Sequence, residues 1–401
     1  MRKRIPVAGV SRPSLRIIAV RLSSLMPTLL TIGHSYVVGQ NRRLAHEMAM
    51  AGAGEWQVTA VAPVRFAGDL RCVDLEPLPH EACELVPLDV RLRSSRHLFL
   101  YRNLAGVLRR RWDIVHCWEE PYVAAGAQVA ALLPRGARLV PATFQNLVKR
   151  YPPPFRQLER FVMDRASGWV AFGESIRDAH RRRPRYAARP VRVIPPGVDL
   201  NSFKPDHVAR AEIRRRLGWH DDRPVIGFVG RFVAEKGIGV LMRVLPQIKS
   251  RWRALFVGGG PLQADLERFA AAHDGRVHLV TTADHDRVPA YLNAMDLLCA
   301  PSQTTTRWRE QFGRMLIEAM ACGVPIIASR SGEIPYVLGD AGTLLPEDDD
   351  AAWVQAIEAV LADEECRSQF AARGLARART RYGWPLVASA HLAFFRELLA
   401  A

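Results

Sequence analysis

From Thr28 onward, short apolar runs alternate with longer stretches in which apolar residues recur every three or four positions. The runs predict buried strands and the recurring stretches predict amphipathic helices. In the first half the strands fall at Pro27–Ile32, Gln57–Val61, Asp113–Trp118, Arg138–Val140, Trp169–Phe172 and Val191–Ile194. Arg43–Met50 reads as the first helix, and residues 64–95 read as irregular with short strands. His97–Trp112 sets Leu98, Leu100, Leu104 and Leu108 among Arg96, Arg102, Arg109, Arg110 and Arg111. That pattern predicts a basic amphipathic helix, either solvated or lying on anionic lipid.

Pro196-Gly197 and Phe203-Lys204-Pro205 read as a hinge and linker. A second alternating series follows, with strands at Val225–Val229, Ala254–Val257, Val277–Val280, Leu297–Ala300 and Ile326–Ala328. Lys236-Gly237 opens a helix through Leu241 and Leu245, and residues 351–400 read as helical. Strands alternating with helices predict an α/β protein with parallel, doubly wound sheets. The expected division is a basic extension at 1–26, a first domain over 27–200 and a second over 201–382. The last helix, about 383–401, is long enough to cross back to the first domain. Ligands of such sheets bind beyond the carboxyl ends of the strands. That rule puts His34, His116, Trp118, Glu119, Gln145 and Glu174 on one rim.

Composition changes the picture little, and charge changes it more. Of 401 residues, 49% are hydrophobic and 24% charged, an ordinary globular balance. No apolar run approaches the roughly 20 residues of a membrane span. The six cysteines form no CxxC pair, which argues against zinc and suggests reduced thiols. The net charge is 56 − 40 = +16. Residues 1–199 hold 31 basic and 16 acidic side chains, against 25 and 24 in residues 200–401. The surplus therefore belongs to the first half, which would suit an anionic surface, or would simply be solvated. Residues 1–25 hold six basic and no acidic side chains and make a poor signal peptide. Met26 precedes the first good strand, so the stretch before it reads as a disordered tail or a mis-assigned start.

The candidate chemistry gathers in the second half. In 310–329, Glu310 and Glu318 flank the turn Gln311-Phe312-Gly313, after which Met315, Leu316, Ala319 and Met320 have helical spacing. Glu310 should sit just before a helix N-terminus and Glu318 about two turns inside it. Such an N-terminus offers unpaired N–H groups to phosphate. The carboxylates would take hydrogen bonds from hydroxyls of the same ligand. Phosphates and hydroxyls together describe a sugar nucleotide. In Gly230-Arg231-Phe232-Val233-Ala234-Glu235-Lys236-Gly237, a glycine at a strand end and two cations precede a helix, a setting for a diphosphate leaving group. Two exposed surface cations would be the bland alternative. There is no GxxxxGK[ST] loop. Gly258-Gly259-Gly260 fails the GxGxxG fingerprint, whose third glycine would fall at Gln263, and reads as a tight turn beside the ligand.

Taken together, these motifs resemble the retaining glycosyltransferases of family 4, the group 1 type with the GT-B fold. The matching residues are Gly230-Arg231, Glu235-Lys236-Gly237, Val257-Gly258-Gly259-Gly260-Pro261, Ala300-Pro301-Ser302, Glu310 to Glu318 continuing to Pro325, Gly332-Glu333-Ile334-Pro335 and Gly339-Asp340-Ala341-Gly342. The match is strong over about 225–345. It is weak in the first half, through Asp113–His116 and Gly197-Val198-Asp199.

The resemblance implies two Rossmann-like domains facing a cleft, the first for the acceptor and the second for the nucleotide sugar. It implies that Arg231 and Lys236 bind the donor diphosphate, that Glu318 holds the ribose and that Glu310 contacts the donor sugar. Gly230, Gly258 and Gly259 would line the donor site, and the amides around Phe312, Gly313 and Arg314 would hold sugar and phosphate. The base would stack near residues 278–286. No metal or cofactor is required, and the leaving phosphate oxygen takes the acceptor proton, so Glu310 is not a nucleophile.

On the acceptor side Gly33, His34, His116, Trp118, Glu119 and Gln145 are candidates. Here the chain departs from the pattern. Trp118 stands where many lipid-glycosylating relatives carry a histidine, and His34-Ser35-Tyr36 replaces the first loop's glycine pair. The expected donor is a UDP- or GDP-sugar and the acceptor a glycan or lipid-linked hydroxyl at the cytoplasmic membrane face. The competing readings are a sugar-nucleotide epimerase or hydrolase of the same fold, and a basic nucleic-acid-binding protein. The latter lacks any nucleic-acid motif, so no nucleic-acid partner is expected.

Overall fold

The computed structural model describes residues 26–68, 72–91, 97–281 and 284–401. The basic extension before Met26, and Arg96, lie outside the described residues.

Two parallel sheets organise the chain. The first comprises β1 (Thr28–Ile32), β2 (Gln57–Pro63), β3 (Glu84–Leu88), β4 (Ile114–Cys117), β5 (Arg138–Thr143), β6 (Trp169–Ala171) and β7 (Val191–Val193). Its spatial order is β3-β2-β1-β4-β5-β6-β7. The second comprises β8 (Val225–Val229), β9 (Arg253–Val257), β10 (Val277–Val280), β11 (Leu297–Ala300), β12 (Ile326–Ser329) and β13 (Thr343–Leu345). Its order is β10-β9-β8-β11-β12-β13. Both sheets therefore reverse direction of winding once, between β1 and β4 and between β8 and β11. The register there pairs Ile32 with Cys117 and Ile226 with Leu297. Every residue of β4, β8, β11 and β12 is buried. Helices cover both faces of such strands, which is why they read as unbroken apolar runs.

Around the first switch lie a 3₁₀ turn at His34–Val37 and α1 (Gly39–Ala51). Two short antiparallel ribbons, Arg65–Ala67 with Cys72–Asp74 and Val90–Arg91 with Leu100–Tyr101, fill the irregular stretch. The long basic helix expected over His97–Trp112 does not form. Only α2 (Leu104–Leu108) is helical, and Leu104, Val107 and Leu108 are buried. Leu100 and Tyr101 are ribbon residues instead, and Asn103 takes a left-handed φ of 58° that breaks any helix running through it. Leu104 and Leu108 thus enter the core, while Leu98 stays exposed and Leu100 half-buried, so the four do not share one helical stripe.

α3 (Glu174–His180) follows β6, α4 (Ile238–Val244) follows the Lys236 turn, and α5 (Arg314–Ala321) follows β11. The last helix, α6 (Trp384–Ala400), returns to the first sheet. Val387, Leu392, Phe395 and Leu398 join Leu29, Leu44, Met48 and Ala60 in one core. The chain crosses between the sheets twice, side by side. The Val198 amide donates to the Tyr382 carbonyl at 2.7 Å and the Trp384 amide to the Val198 carbonyl at 3.3 Å.

Candidate functional site

The second sheet's switch point carries Arg231, Lys236 and Glu310 on the loops after β8 and β11. Gly230 ends β8, and its amide donates to the Val257 carbonyl at 3.0 Å. Gly258 and Gly259 close the neighbouring strand: the Gly258 amide donates to the Val280 carbonyl at 2.9 Å, and the Phe232 amide to the Gly259 carbonyl at 2.8 Å. Arg231 stands exposed on the loop between. Lys236 ends a 3₁₀ turn, and Gly237 then takes φ 74°; a Cβ there would lie 1.8 Å from the Pro301 carbonyl oxygen. Only glycine lets this turn press against the end of β11. The contact aims Lys236 at the opposite loop, where its Nζ lies 2.5 Å from Glu310 Oε2. Ser302 Oγ donates to the same oxygen at 2.9 Å. Glu310 is only 5% exposed.

Phe312, Gly313 and Arg314 lead into α5. Their backbone N–H groups have no acceptor among the described residues, as expected of a helix start. Glu318 is buried one helix turn beyond Arg314, and burial raises its carboxyl above the ordinary value; His285 and Arg314 oppose that shift. His285 Nε2 lies 3.9 Å from Glu318 Oε1. Residues 282 and 283, inside the stretch expected to stack on the base, are outside the described residues.

The first sheet's switch point is built differently. Gly33 ends β1 and donates to the Val61 carbonyl at 3.3 Å. His34 follows, and both oxygens of Glu119 serve it. Oε1 accepts from the His34 amide at 2.6 Å and from the Tyr101 hydroxyl at 2.9 Å, while Oε2 meets His34 Nδ1. Glu119 is fully buried, so it anchors the His34 loop and does not face an acceptor. His116 is also fully buried, with Nδ1 3.0 Å from Thr31 Oγ1 and its ring 5.4 Å from that of His391 on α6. Burial, with His391 beside it, holds its imidazole well below the ordinary value. It is a core histidine away from the cleft. Gln145 spends its carbonyl on the Leu147 amide at 3.0 Å, shaping a turn. Trp118 does reach the cleft, where it meets Phe144 at 5.1 Å and Phe172 at 5.6 Å between ring centroids.

Contacts between the two halves bring in residues the sequence reading left out. Asn146 Nδ2 donates to the Glu310 carbonyl at 2.7 Å, and the Glu333 amide donates to the same oxygen at 2.9 Å. Gly332, φ 53°, permits this approach, since a Cβ there would lie 2.0 Å from that oxygen. The Glu333 carboxylate caps α3 of the other half, taking the Glu174 amide at 2.7 Å and the Ser175 amide at 2.8 Å. Arg314 donates to Asn41 Oδ1 at 3.0 Å, and Gln40 to Glu318 Oε1 at 3.5 Å. Glu120, enclosed at the end of β4, accepts from the Phe144 amide at 2.6 Å and Thr143 Oγ1 at 2.8 Å. Burial pushes its carboxyl up to about 7. Glu333 lies inside a motif that the sequence reading quoted, and Asn146 adjoins Gln145. Neither carries a sign of its partner, which lies more than 150 residues away.

Among the described residues no group of three or more His, Cys, Asp or Glu side chains could hold one metal ion. Nor is any described helix long and apolar enough to cross a membrane.

Two family descriptions match the chain: "Glycosyl transferases group 1" over residues 209–377 and "Glycosyltransferase Family 4" over residues 41–202. A D-inositol 3-phosphate glycosyltransferase of Salinispora tropica is 34% identical over 371 residues, which cover 84% of this chain and 72% of that one. A GDP-mannose-dependent alpha-(1-6)-phosphatidylinositol monomannoside mannosyltransferase of Mycolicibacterium smegmatis is 34% identical over 200 residues, 48% of this chain and 52% of that one. The chain spans about half the length of the mannosyltransferase, as it does of another curated relative. Anabaena HepE in complex with UDP superposes with a TM-score of 0.73 at 18% identity, over 93% of this chain and 100% of that one. That likeness establishes the two-sheet fold, the GT-B arrangement.

Proposed function

Because the chain belongs to the group 1, family 4 glycosyltransferases, we propose that it transfers a sugar from a nucleoside-diphosphate sugar to an acceptor hydroxyl. The observation that carries this reading is the meeting of Lys236, Ser302 and Glu310 at one switch point, with the unpaired amides of Phe312–Arg314 beside them. Fixed cations and free N–H groups stabilise charge as it develops on a departing diphosphate. Arg231, from the same loop as Lys236, reaches the second phosphate. Glu318 takes the ribose hydroxyls and Glu310 the transferred sugar.

The donor is a UDP- or GDP-sugar. One relative is named for GDP-mannose and one structural neighbour holds UDP. The acceptor is a glycan or lipid-linked hydroxyl, as the inositol-phosphate and phosphatidylinositol names of the relatives suggest. The reaction proceeds without a metal and retains the anomeric configuration. Glu310 is engaged by Lys236 and Ser302, so the acceptor attacks from the side the leaving group departs, and the leaving phosphate oxygen receives its proton. The enzyme works in the cytoplasm, peripherally on the inner membrane face, where the basic first half of the chain meets anionic lipid. With α2 folded into the core, that contact rests on surface charge.

A thermal-shift screen of UDP- and GDP-sugars tests the donor assignment. A ligand at 100 times its Kd stabilises by about 2.7 kcal/mol. No shift with any of them would overturn it. Rapid, complete donor conversion without an acceptor would point instead to an epimerase or hydrolase. Product stereochemistry by NMR tests retention.

A further inference from the structure

Between β5 and β6 the chain leaves the rim of the first sheet as a loop, residues 144–154, and returns as the helix Phe155–Arg165. Residues 144–163 hold four basic side chains and one acidic one. The acid, Glu159, is buried and engaged by Arg183 and by the Tyr186 hydroxyl. Lys149, Arg150, Arg156 and Arg160 make no ion pair among the described residues. Arg150, Arg156 and Arg160 are exposed, and the last two stand one helix turn apart.

Apolar surface accompanies these charges. Val148, next to Lys149, is 77% exposed, and Pro152, Pro153 and Pro154 are exposed as well. The loop that presents them is held down by rings. Tyr151 stacks on Tyr122 at 4.3 Å, and Phe155 meets His97 at 5.9 Å. Val148 is therefore an exposed point on an anchored loop.

An apolar point among uncompensated cations suits one kind of surface. Anionic headgroups attract the cations, while the valine and prolines enter the boundary between headgroups and acyl chains. Tyrosine rings favour the same depth. A nucleic-acid backbone would satisfy the charges alone and leave Val148 in water. The face also adjoins the transfer site, since Asn146, two residues before Val148, donates to the Glu310 carbonyl at 2.7 Å.

Resting on the membrane-facing part of the transferase reading, we propose that the face formed by Val148, Lys149, Arg150, Arg156 and Arg160 docks on an anionic bilayer. Docking there brings the Glu310 side of the cleft next to the headgroups, so an acceptor anchored in lipid is met at the surface.

The test is sedimentation of the full chain with phosphatidylcholine vesicles, with or without phosphatidylglycerol. The wild type should partition about tenfold or more better onto the anionic vesicles, and less so in high salt. A basic side chain at an anionic surface is worth about fivefold. Arg150→Gln, Arg156→Gln and Arg160→Gln together should therefore lose on the order of a hundredfold. Arg109→Gln, Arg135→Gln and Arg189→Gln remove the same charge from exposed positions ahead of β4, β5 and β7, at the other end of the sheet. That triple variant should lose less than about fivefold. Val148→Asp should weaken binding and Val148→Trp should tighten it. Melting curves establish that each variant is folded, and the Val148 variants test the face even where a triple variant fails to fold.

The proposal is overturned if the wild type does not partition onto anionic vesicles, or partitions equally onto neutral ones. Equal losses in the two triple variants overturn it, as does binding that is indifferent to both Val148 substitutions. Binding to single-stranded DNA or heparin without binding to vesicles would mark a general polyanion site and overturn it too. UDP and GDP thermal shifts are read on the same wild-type protein. A shift without vesicle binding defeats this proposal alone, and vesicle binding without a shift defeats the transferase reading alone.

Discussion

Both sheets reverse their winding at one place, and both place a carboxylate there, yet the two carboxylates do different work. Glu310, in the loop after β11, faces the cleft and holds Lys236 at 2.5 Å. Glu119, just after β4, is sealed inside, with the His34 amide and ring and the Tyr101 hydroxyl around it. The same topology thus supplies a ligand-facing charge on one side and an internal anchor on the other. A strand order fixes where a site can be; whether a given side chain reaches it depends on how the following loop folds back.

The sharpest way to break that comparison is to remove one charge from each side. Lys236→Ala should lower kcat about 10²–10³-fold, the usual effect of losing one group that stabilises developing charge, with an unchanged circular dichroism spectrum. Glu119→Gln keeps the shape and should lower kcat less than about tenfold. Its main cost should be stability, about 1–3 kcal/mol for the weakened buried network, read from chemical denaturation. Equal catalytic losses in the two variants would end the distinction between them.

The clasp between the halves comes next in size. Glu333→Ala strands two backbone N–H groups of α3 and should destabilise by about 2–3 kcal/mol, lowering the melting temperature by several degrees. It should also raise the donor KM, because the lost carboxylate ties α3 of the first half to the turn whose Glu333 amide holds the Glu310 carbonyl. An unchanged KM would separate the clasp from the site.

A third contrast is one of pH. His116 and His391 are buried neutral between β4 and α6, and His391 is lowered to about 4. Their folded pKa values lie below the unfolded one of about 6.5. The unfolded chain therefore binds more protons, and stability present above pH 6.5 falls as the pH drops toward the folded values. From pH 6.5 to 5 the loss should be about 1.5 kcal/mol for His391, and His391→Phe should flatten it. Glu120 runs the other way. Its carboxyl is raised to about 7, so its contribution declines as pH rises from about 4.5 to 7. The smallest effect is expected at Arg396, whose pair with Glu55 is exposed. Arg396→Ala should change stability by less than about 1 kcal/mol.

Much of this was legible in the chain, for definable reasons. The strands read clearly because burial on both faces writes unbroken apolar runs, as in Val225–Val229. The helix start after Glu310 read clearly because its parts are local: Gly313, the start of α5, and Glu318 lie within a few residues of one another. The segment His97–Trp112 misled because leucines and arginines at helical spacing carry no mark of the Asn103 turn or of the ribbon that claims Leu100 and Tyr101. Glu119 and His116 looked like rim residues because β4 ends beside them. Tyr101 and α6, which bury them, come from 18 residues before Glu119 and from the last turns of the chain.

The sequence by itself determined the two doubly wound sheets and the cluster from Glu310 to Glu318, since each depends on periodicity or on neighbours along the chain. Only the tertiary structure decided that Glu119 is an anchor and that Glu333 caps a helix of the other half. Those facts depend on which groups lose water together when distant segments pack, and burial of that kind has no local signature.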